Sequence, residues 1–332
     1  MSLDLSIIIP IINEWPHIFY TVHSIMLDLA DENIEYEIII VDNGSEPEEK
    51  EKLEPLCEHY PIKLISYSPQ SVKLSLREGI RKSKGKLVSF VGGHTLFSKN
   101  FFSKILNIIE KGEAEGVFCP VSYGWSWPLD RSHTKVYQYY LEPYNGDDGF
   151  GAGYSFIKLD EKPYKVASQA SLGFTFLKDS WFKIGEVNDG LTYAGGGDEK
   201  YLELKMWMFG FTLLLEPDIE TIHFNSPRNY PPTPNYYAHR NSFITAHALG
   251  GEEYAKGNLK THVLRSLKIP GYASEQFNSE TDYVGDIEKC FEEAVELAEP
   301  ERRFIEANAE IKFDELWDWF DNNNVYWRKE VR

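Results

Sequence analysis

Two apolar, β-branched runs open the chain, at residues 5–10 and 36–41, the first of them ended by Pro10. A run of that length without polar alternation is the pattern of a strand buried on both faces of a parallel sheet. Residues 15–30, between the two, carry apolar side chains at helical spacing, so the unit reads strand, helix, strand. The pattern then repeats, with a helix at 48–59, a strand at 62–67, a helix at 71–84 closed by Gly85, and a strand at 86–91. A helix at 100–111 and a strand at 116–121 follow. Alternation of this kind predicts a doubly wound α/β sheet, in which ligands bind beyond the carboxyl ends of the strands.

After residue 121 the alternation stops. Residues 122–167 are rich in Gly, Pro, Trp and Tyr and read as irregular structure carrying part of a binding site. Order returns with a strand at 170–177, a short helix at 178–184, a glycine-punctuated loop at 185–197, a helix at 198–208, a strand at 212–215 and an extended segment at 220–224. Prolines between 227 and 234 suggest a lid or linker, and the rest is helical in pattern, with 287–297 and 301–308 as separate helices. For 332 residues the expected division is a main domain over 1–245, with halves 1–121 and 122–245, and a helical extension over 246–332.

Charge narrows the function. A formal net charge of −18 argues against gripping nucleic-acid backbones, which needs a basic stripe, and the basic run at 77–86 reads as a solvated helix face. The three cysteines, Cys57, Cys119 and Cys290, show no paired spacing, so neither a disulfide framework nor a thiolate zinc site is expected, and the compartment reads as reducing. No stretch approaches the roughly 20 apolar residues that cross a bilayer, and the first residues lack a basic and apolar leader, so the expectation is a cytoplasmic protein or a soluble part of something larger. The 8 Trp, 20 Tyr and 20 Phe are dense between residues 118 and 164, where rings either fill cores or stack on sugars. Trp125, Trp127, Tyr139, Tyr140 and Tyr144 are the stacking candidates.

Candidate chemistry gathers at the strand ends. Pro10, Asn13 and Glu14 follow the first strand, and Asp42, Asn43, Gly44 and Ser45 follow the second, so both groups fall on one ligand-facing edge. A carboxylate and an amide beside a glycine turn suit a base edge or ribose hydroxyls; they equally suit an Asx-turn that caps the next helix. The strand at 86–91 runs out into Gly92, Gly93 and His94, where paired glycines let backbone approach a ligand and the imidazole is either a metal ligand or structural. Asp198 and Glu199 open a helix, which the helix dipole favours, and a reaction that activates a hydroxyl also needs a carboxylate base. Arg228 and Arg240 are supplementary cations whose ordinary role is surface pairing.

The ordered set carries a resemblance. Ser6 through Pro10, then Asn13 and Glu14, then Ile38 through Ser45, then Gly79 through Gly85, then Ser89 through His94 resemble the nucleotide-binding half of family-2 glycosyltransferases of the GT-A fold. They are also similar to the polypeptide N-acetylgalactosaminyltransferases, whose signature at the last place is Asp-x-His. Leu172 to Phe176 resembles the small-residue strand lining those active sites, and Gly195 to Glu199 with Leu202, Lys205 and Trp207 resembles their Gly-Gly-Glu-Asp or Gly-Gly-Glu-Asn helix. His223, in Ile222-His223-Phe224, matches their later metal-binding histidine, and the likeness covers residues 5–245.

The resemblance implies a Rossmann-like mixed sheet flanked by helices, and transfer of a sugar from a nucleotide-sugar, with UDP as the nucleotide, to an acceptor hydroxyl such as a glycan. It puts donor contacts at Pro10, Asn13, Glu14, Asp42, Asn43, Gly92, Gly93 and Arg228, acceptor contacts at Trp125, Trp127, Gly173 and Phe174, and a divalent cation on His94 and His223. Two imidazoles favour Mn²⁺ over Mg²⁺, which prefers oxygen. Catalysis falls to Asp198 and Glu199, with Glu199 at the base position; the wider family-2 pattern favours inversion, whereas the N-acetylgalactosaminyltransferases retain configuration. Gly92 stands where the family places an aspartate, which removes a carboxylate from the cation or ribose and motivates a second reading, a degenerate transferase fold that binds a glycan or nucleotide without turnover. A nucleotidyltransferase fits less well, because Ile11 to Trp15 offers neither glycine nor a basic residue for a triphosphate. Self-association through the C-terminal helices stays open.

Overall fold

The computed structural model describes residues 3–124, 134–142, 151–155, 158–169, 173–193, 198–224, 235–268 and 283–328. In chain order the first half runs β1 (Leu5–Ile11), α1 (His17–Leu29), β2 (Tyr36–Asp42), α2 (Pro47–His59), β3 (Ile62–Ser66), α3 (Val72–Lys82), β4 (Leu87–Phe90), β5 (Thr95–Phe97), α4 (Phe101–Glu110) and β6 (Gly116–Phe118). The second half runs β7 (Val121–Gly124), β8 (Thr134–Val136), β9 (Gln138–Glu142), β10 (Gly151–Ser155), β11 (Tyr164–Lys165), β12 (Phe174–Leu177), α5 (Lys178–Lys183), α6 (Asp198–Met208), β13 (Leu213–Leu215) and β14 (Thr221–Phe224). Four helices close the chain: α7 (Asn235–Gly250), α8 (Glu252–Lys268), α9 (Tyr283–Asn308) and, after a 3₁₀ turn at Phe313–Glu315, α10 (Leu316–Asn322).

Eight strands form the main sheet in the order β11-β13-β6-β12-β4-β1-β2-β3. The strands from β4 to β3 are mutually parallel, with Ile7 opposite Ile38 and Ile8 opposite Phe90. Alternate side chains of β1 enter different cores: Ile8 joins Ile39, Val41 and Phe90 on one face, while Leu5, Ile7 and Ile9 join Ile38 and Ile40 on the other. That two-sided burial is why the sequence shows a continuous apolar run. Helices α1 and α4 cover the second face through Ile18, Val22, Ile25, Phe101 and Ile105, and α3 covers the first through Leu74, Leu76 and Ile80. Gly79 lets α3 lie tight on the sheet, since a Cβ there would sit 2.3 Å from Ile8 Cγ2.

The doubly wound expectation therefore holds for the first four strands and then departs from simple alternation. β12 enters antiparallel between β4 and β6, and the predicted strand at 116–121 is two strands, β6 and β7, separated by Cys119 and Pro120 and serving different sheets. Proline has no N–H to give a ladder, and its carbonyl accepts from the Thr221 amide instead. The second sheet, in the order β5-β14-β7-β8, was not foreseen. Residues 122–167, expected to be irregular, contain β8 to β11, whose short aromatic and glycine-bearing sequences hide a period of two. The two helices expected at 287–297 and 301–308 are one, α9, which runs through Pro300; its inner face, Ile287, Cys290, Ala294, Ala298 and Ile305, is buried and outweighs the loss of a backbone donor.

The C-terminal helices share a core with the sheet. Phe243 and Ile244 of α7, Ile287 of α9 and Phe320 of α10 belong to the same buried cluster as Phe176 of β12 and Trp207 of α6. Trp207 Nε1 donates to the Val166 carbonyl, 3.2 Å away, and its ring packs against Phe320. All three cysteines are free thiols. Among the described residues no helix is long and apolar enough to cross a membrane.

Candidate active site

Strand pairing assembles the centre of the site. β5 and β14 are antiparallel, with Thr95 opposite His223, and the Phe224 amide donates to the His94 carbonyl at 3.0 Å. His94, immediately before β5, is thereby set beside His223 of β14. Their rings meet edge to face, with centroids 4.5 Å apart, and their Nε2 atoms are 2.9 Å apart.

Behind His94 stands Glu14, 5% exposed, whose Oε1 is 3.1 Å from His94 Nδ1. A carboxylate at that distance only accepts, so in the neutral ring Nδ1 carries the proton and Nε2 presents its lone pair toward His223. Gly93 makes this contact possible: a Cβ there would lie 2.9 Å from Ile11 Cγ2 and 3.1 Å from Glu14 Cγ.

Helix α1 holds the backbone around His94. The Thr21 hydroxyl donates to the Gly93 carbonyl and accepts from the Thr95 amide, both at 3.0 Å. Ser24 accepts from the Phe97 amide at 2.9 Å, and the Asp28 carboxylate accepts from the amides of Phe101 and Phe102 at the start of α4. Burial raises the Asp28 carboxyl above its ordinary range although those amides oppose the shift. Sequence reasoning missed these three residues, yet their signal was present: polar side chains at helical spacing within an otherwise apolar face.

The expected donor contacts on the first two strands interlock. Asn13, in the left-handed region at φ 52°, donates its amide to Ser45 Oγ at 2.9 Å, and its Oδ1 accepts from the Glu46 amide at 2.8 Å. Asp42 accepts from the Ser45 amide, three residues on, at 2.9 Å, and pairs with Lys50 at 3.3 Å. Asn43 donates to the carbonyls of Tyr67 and Pro69 at 3.1 and 2.9 Å and accepts from the Ser71 amide. Its amide group thus fastens the loop after β3. Pro10 lies in β1 opposite Val41.

A family model described as glycosyl transferase family 2 matches residues 6–180, more than half of the chain. The chain belongs to this family. Among its relatives are a probable N-acetylgalactosaminyltransferase 7 of Caenorhabditis elegans, 25% identical over 235 residues, and polypeptide N-acetylgalactosaminyltransferase 11 of Xenopus tropicalis, 26% identical over 271 residues. These alignments cover 64% and 73% of this chain but only 37% and 42% of the relatives. The crystal structure of GalNAc-T7 with UDP, GalNAc and Mn²⁺ superposes with a TM-score of 0.65 at 17% identity, covering 98% of this chain and 58% of that one. The fold is GT-A-like: an α/β arrangement of mixed sheets flanked by helices, with a helical C-terminal region.

The donor set of this family-2 site can be tested against a divalent cation. Two nitrogens at about 2.1 Å from one ion lie about 3.0 Å apart at an octahedral right angle and about 3.4 Å apart at a tetrahedral angle, against the 2.9 Å observed between the Nε2 atoms of His94 and His223. The carboxylate behind His94 is the usual support of a metal-bound imidazole. Gly92 adds no ligand, and among the described residues no group of three His, Cys, Asp or Glu side chains forms a cage. As placed, the two Nε2 atoms are at hydrogen-bond distance, so one ring donates to the other; the pair could serve as two ligands of one cation only once that shared proton is released, and the rest of the shell would come from elsewhere.

Helix α6 begins at Asp198, as expected, but the side chains of Asp198 and Glu199 lie outside the described residues, as do the expected acceptor or stacking residues Trp125, Trp127 and Tyr144, the expected donor contact Arg228, and the side chains of Tyr139 and Tyr140. Gly173 sits among Phe101, Cys119 and Thr221, and Phe174 is 1% exposed, stacked on Phe118 at 4.1 Å within the core. Arg240 of α7 donates to the Gly190 carbonyl and to Thr192, and Asn241 donates to the Thr192 carbonyl, so α7 clamps the loop that leads toward α6.

Proposed function

We propose that this chain is a glycosyltransferase that moves a sugar from a UDP-sugar to an acceptor hydroxyl, with a divalent cation, Mn²⁺ before Mg²⁺, held on His94 and His223. The observation that carries this reading is the convergence of the two imidazoles at 2.9 Å, with Glu14 behind one of them, at the ligand-facing edge of a family-2 sheet. Cleaving a sugar from a diphosphate builds negative charge on the leaving oxygen, and a cation there stabilises it. His94 and His223 would hold and orient that cation, and Glu14, bonded to His94 Nδ1, would fix the orientation of the ring that faces it.

The strand-end loops supply the rest of the donor site. Their hydrogen bonds, from Asn13 to Ser45 and Glu46 and from Asn43 to the loop after β3, make a rigid edge against which a nucleotide can rest. The relatives that are N-acetylgalactosaminyltransferases support a GalNAc-like donor among the first to be tried. Asp198 and Glu199 decide the stereochemistry: inversion, the outcome favoured by the wider family, requires one of them to take the acceptor proton, and retention does not.

Release of UDP from UDP-GalNAc and other UDP-sugars, with and without Mn²⁺, tests the reading. Metal-stimulated release that disappears in His94→Ala supports it. UDP binding without any release, across the donor panel and with added glycan acceptors, sinks the enzyme claim in favour of a nucleotide-binding protein.

A further inference from the structure

Lys73 lies in the first turn of α3 and is 1% exposed. Among the described residues its ammonium has no hydrogen bond or ion pair; its partner is the Phe90 ring, whose centroid is 5.4 Å from Nζ. Lys205, also fully buried, is instead paired with Glu301 and donates to the Glu186 carbonyl. A lysine packed this deeply with no counter-charge among the described residues gives up much of its water for little return, because a ring face repays only part of the hydration of a cation. The first turn of a helix is also the wrong end of the dipole for a positive charge. Violations of this kind concentrate where a ligand supplies the missing partner.

The surroundings place Lys73 on the same edge of the sheet as the site described above. A helix that follows a parallel strand starts at the ligand-facing edge of the sheet. Ser71, the N-cap of α3, donates its amide to Asn43 and its hydroxyl to the Leu191 carbonyl, and the Val72 amide donates to the Tyr193 carbonyl. Lys73 is thus set between the loop after β2 and the loop that leads toward α6. Phe90, under its ammonium, ends β4 just ahead of Gly92, Gly93 and His94.

We propose that the Lys73 ammonium receives an oxyanion of the nucleotide-sugar donor. Two groups carry that chemistry, the diphosphate and a carboxylate on the transferred sugar. The proposal rests on the donor reading of the site, and it adds a cation on the α3 side of β4, separate from the two histidines.

Binding of UDP, UDP-glucose and UDP-glucuronate to the wild type, K73M and K73R, measured by calorimetry with Mn²⁺ present and combined with melting of the ligand-free proteins, tests it. K73M is expected to melt at or above the wild type, because a methionine fills the same space without a charge, and to lose about tenfold or more in affinity for the recognised donor; K73R is expected to recover most of that loss. A loss shared by all three probes assigns the diphosphate, and a loss confined to UDP-glucuronate assigns a sugar carboxylate. Unchanged affinity for every probe in K73M, or a K73M that melts well below the wild type with the same affinities, overturns the proposal and leaves Lys73 structural. A wild type that binds none of the probes overturns the donor reading as well.

Discussion

The Nε2 atoms of His94 and His223, 129 positions apart in the chain, lie 2.9 Å from each other because β5 and β14 pair with Thr95 opposite His223. A short strand pairing thus makes a two-nitrogen site from residues that belong to different halves of the sequence. Glu14 completes it by fixing which His94 nitrogen faces the pair.

Removing the support should cost less than removing a ligand. Glu14→Gln keeps the volume but not the charge behind His94, and a lost outer partner weakens a metal site by about 10–100-fold. H94A and H223A should each exceed that loss. Titration calorimetry of Mn²⁺ in the presence of UDP gives the ranking; E14Q binding as tightly as the wild type would remove Glu14 from the site.

Gly92 offers the reverse experiment. It is buried, and it is not among the glycines with positive φ, so a side chain there meets no backbone objection. Gly92→Asp supplies an oxygen ligand beside the two imidazoles and should tighten Mn²⁺ binding and reduce the preference over Mg²⁺. The same calorimetry with both ions reads this out, and unchanged affinity would mean that position 92 does not face the cation.

How much of this was legible in the sequence depended on element length and contact range. The parallel strands β1 and β2 were evident because both of their faces are buried, which leaves no polar alternation to confuse the period. Helix α6 was found within its observed bounds. β5, only three residues long, gives no periodic signal, and its pairing with β14 is non-local, so the resemblance alone linked His94 to His223. Glu14 and Asn43 were recognisable as strand-end residues, but nothing local shows that one stands behind a histidine and the other spends its amide on the backbone of residues 67–71. Thr21, Ser24 and Asp28 did leave a trace, a polar stripe on a buried helical face.

The joint between α6 and α9 is a buried charge network. Lys205 is fully buried, pairs with Glu301 and donates to the Glu186 carbonyl at 2.9 Å, and the Tyr201 hydroxyl also donates to Glu301. Burial pushes the Lys205 ammonium down and the Glu301 carboxyl up, so each depends on the other to stay tolerable inside the protein. Lys205→Met strands the carboxylate and should cost about 3–5 kcal/mol, whereas K205M/E301L, which removes both groups, should cost markedly less. Urea unfolding of the two single variants and the double variant closes the cycle, and additive losses would show that the pair is not coupled.

His239 of α7 sets an acid limit on stability. It is 7% exposed, and burial lowers its pKa from 6.5 to about 4. The unfolded chain therefore takes up this proton before the folded one does, so the contribution is complete above about pH 6.5 and is lost as the pH falls toward 4. At pH 4.5 the loss amounts to about 3 kcal/mol. His239→Gln, which does not titrate, should flatten this part of the profile and narrow the stability gap between pH 7.5 and pH 4.5 by a similar amount, whatever its effect at neutral pH. Urea midpoints at the two pH values measure the difference, and equal acid sensitivity in H239Q and the wild type would assign the effect to other groups.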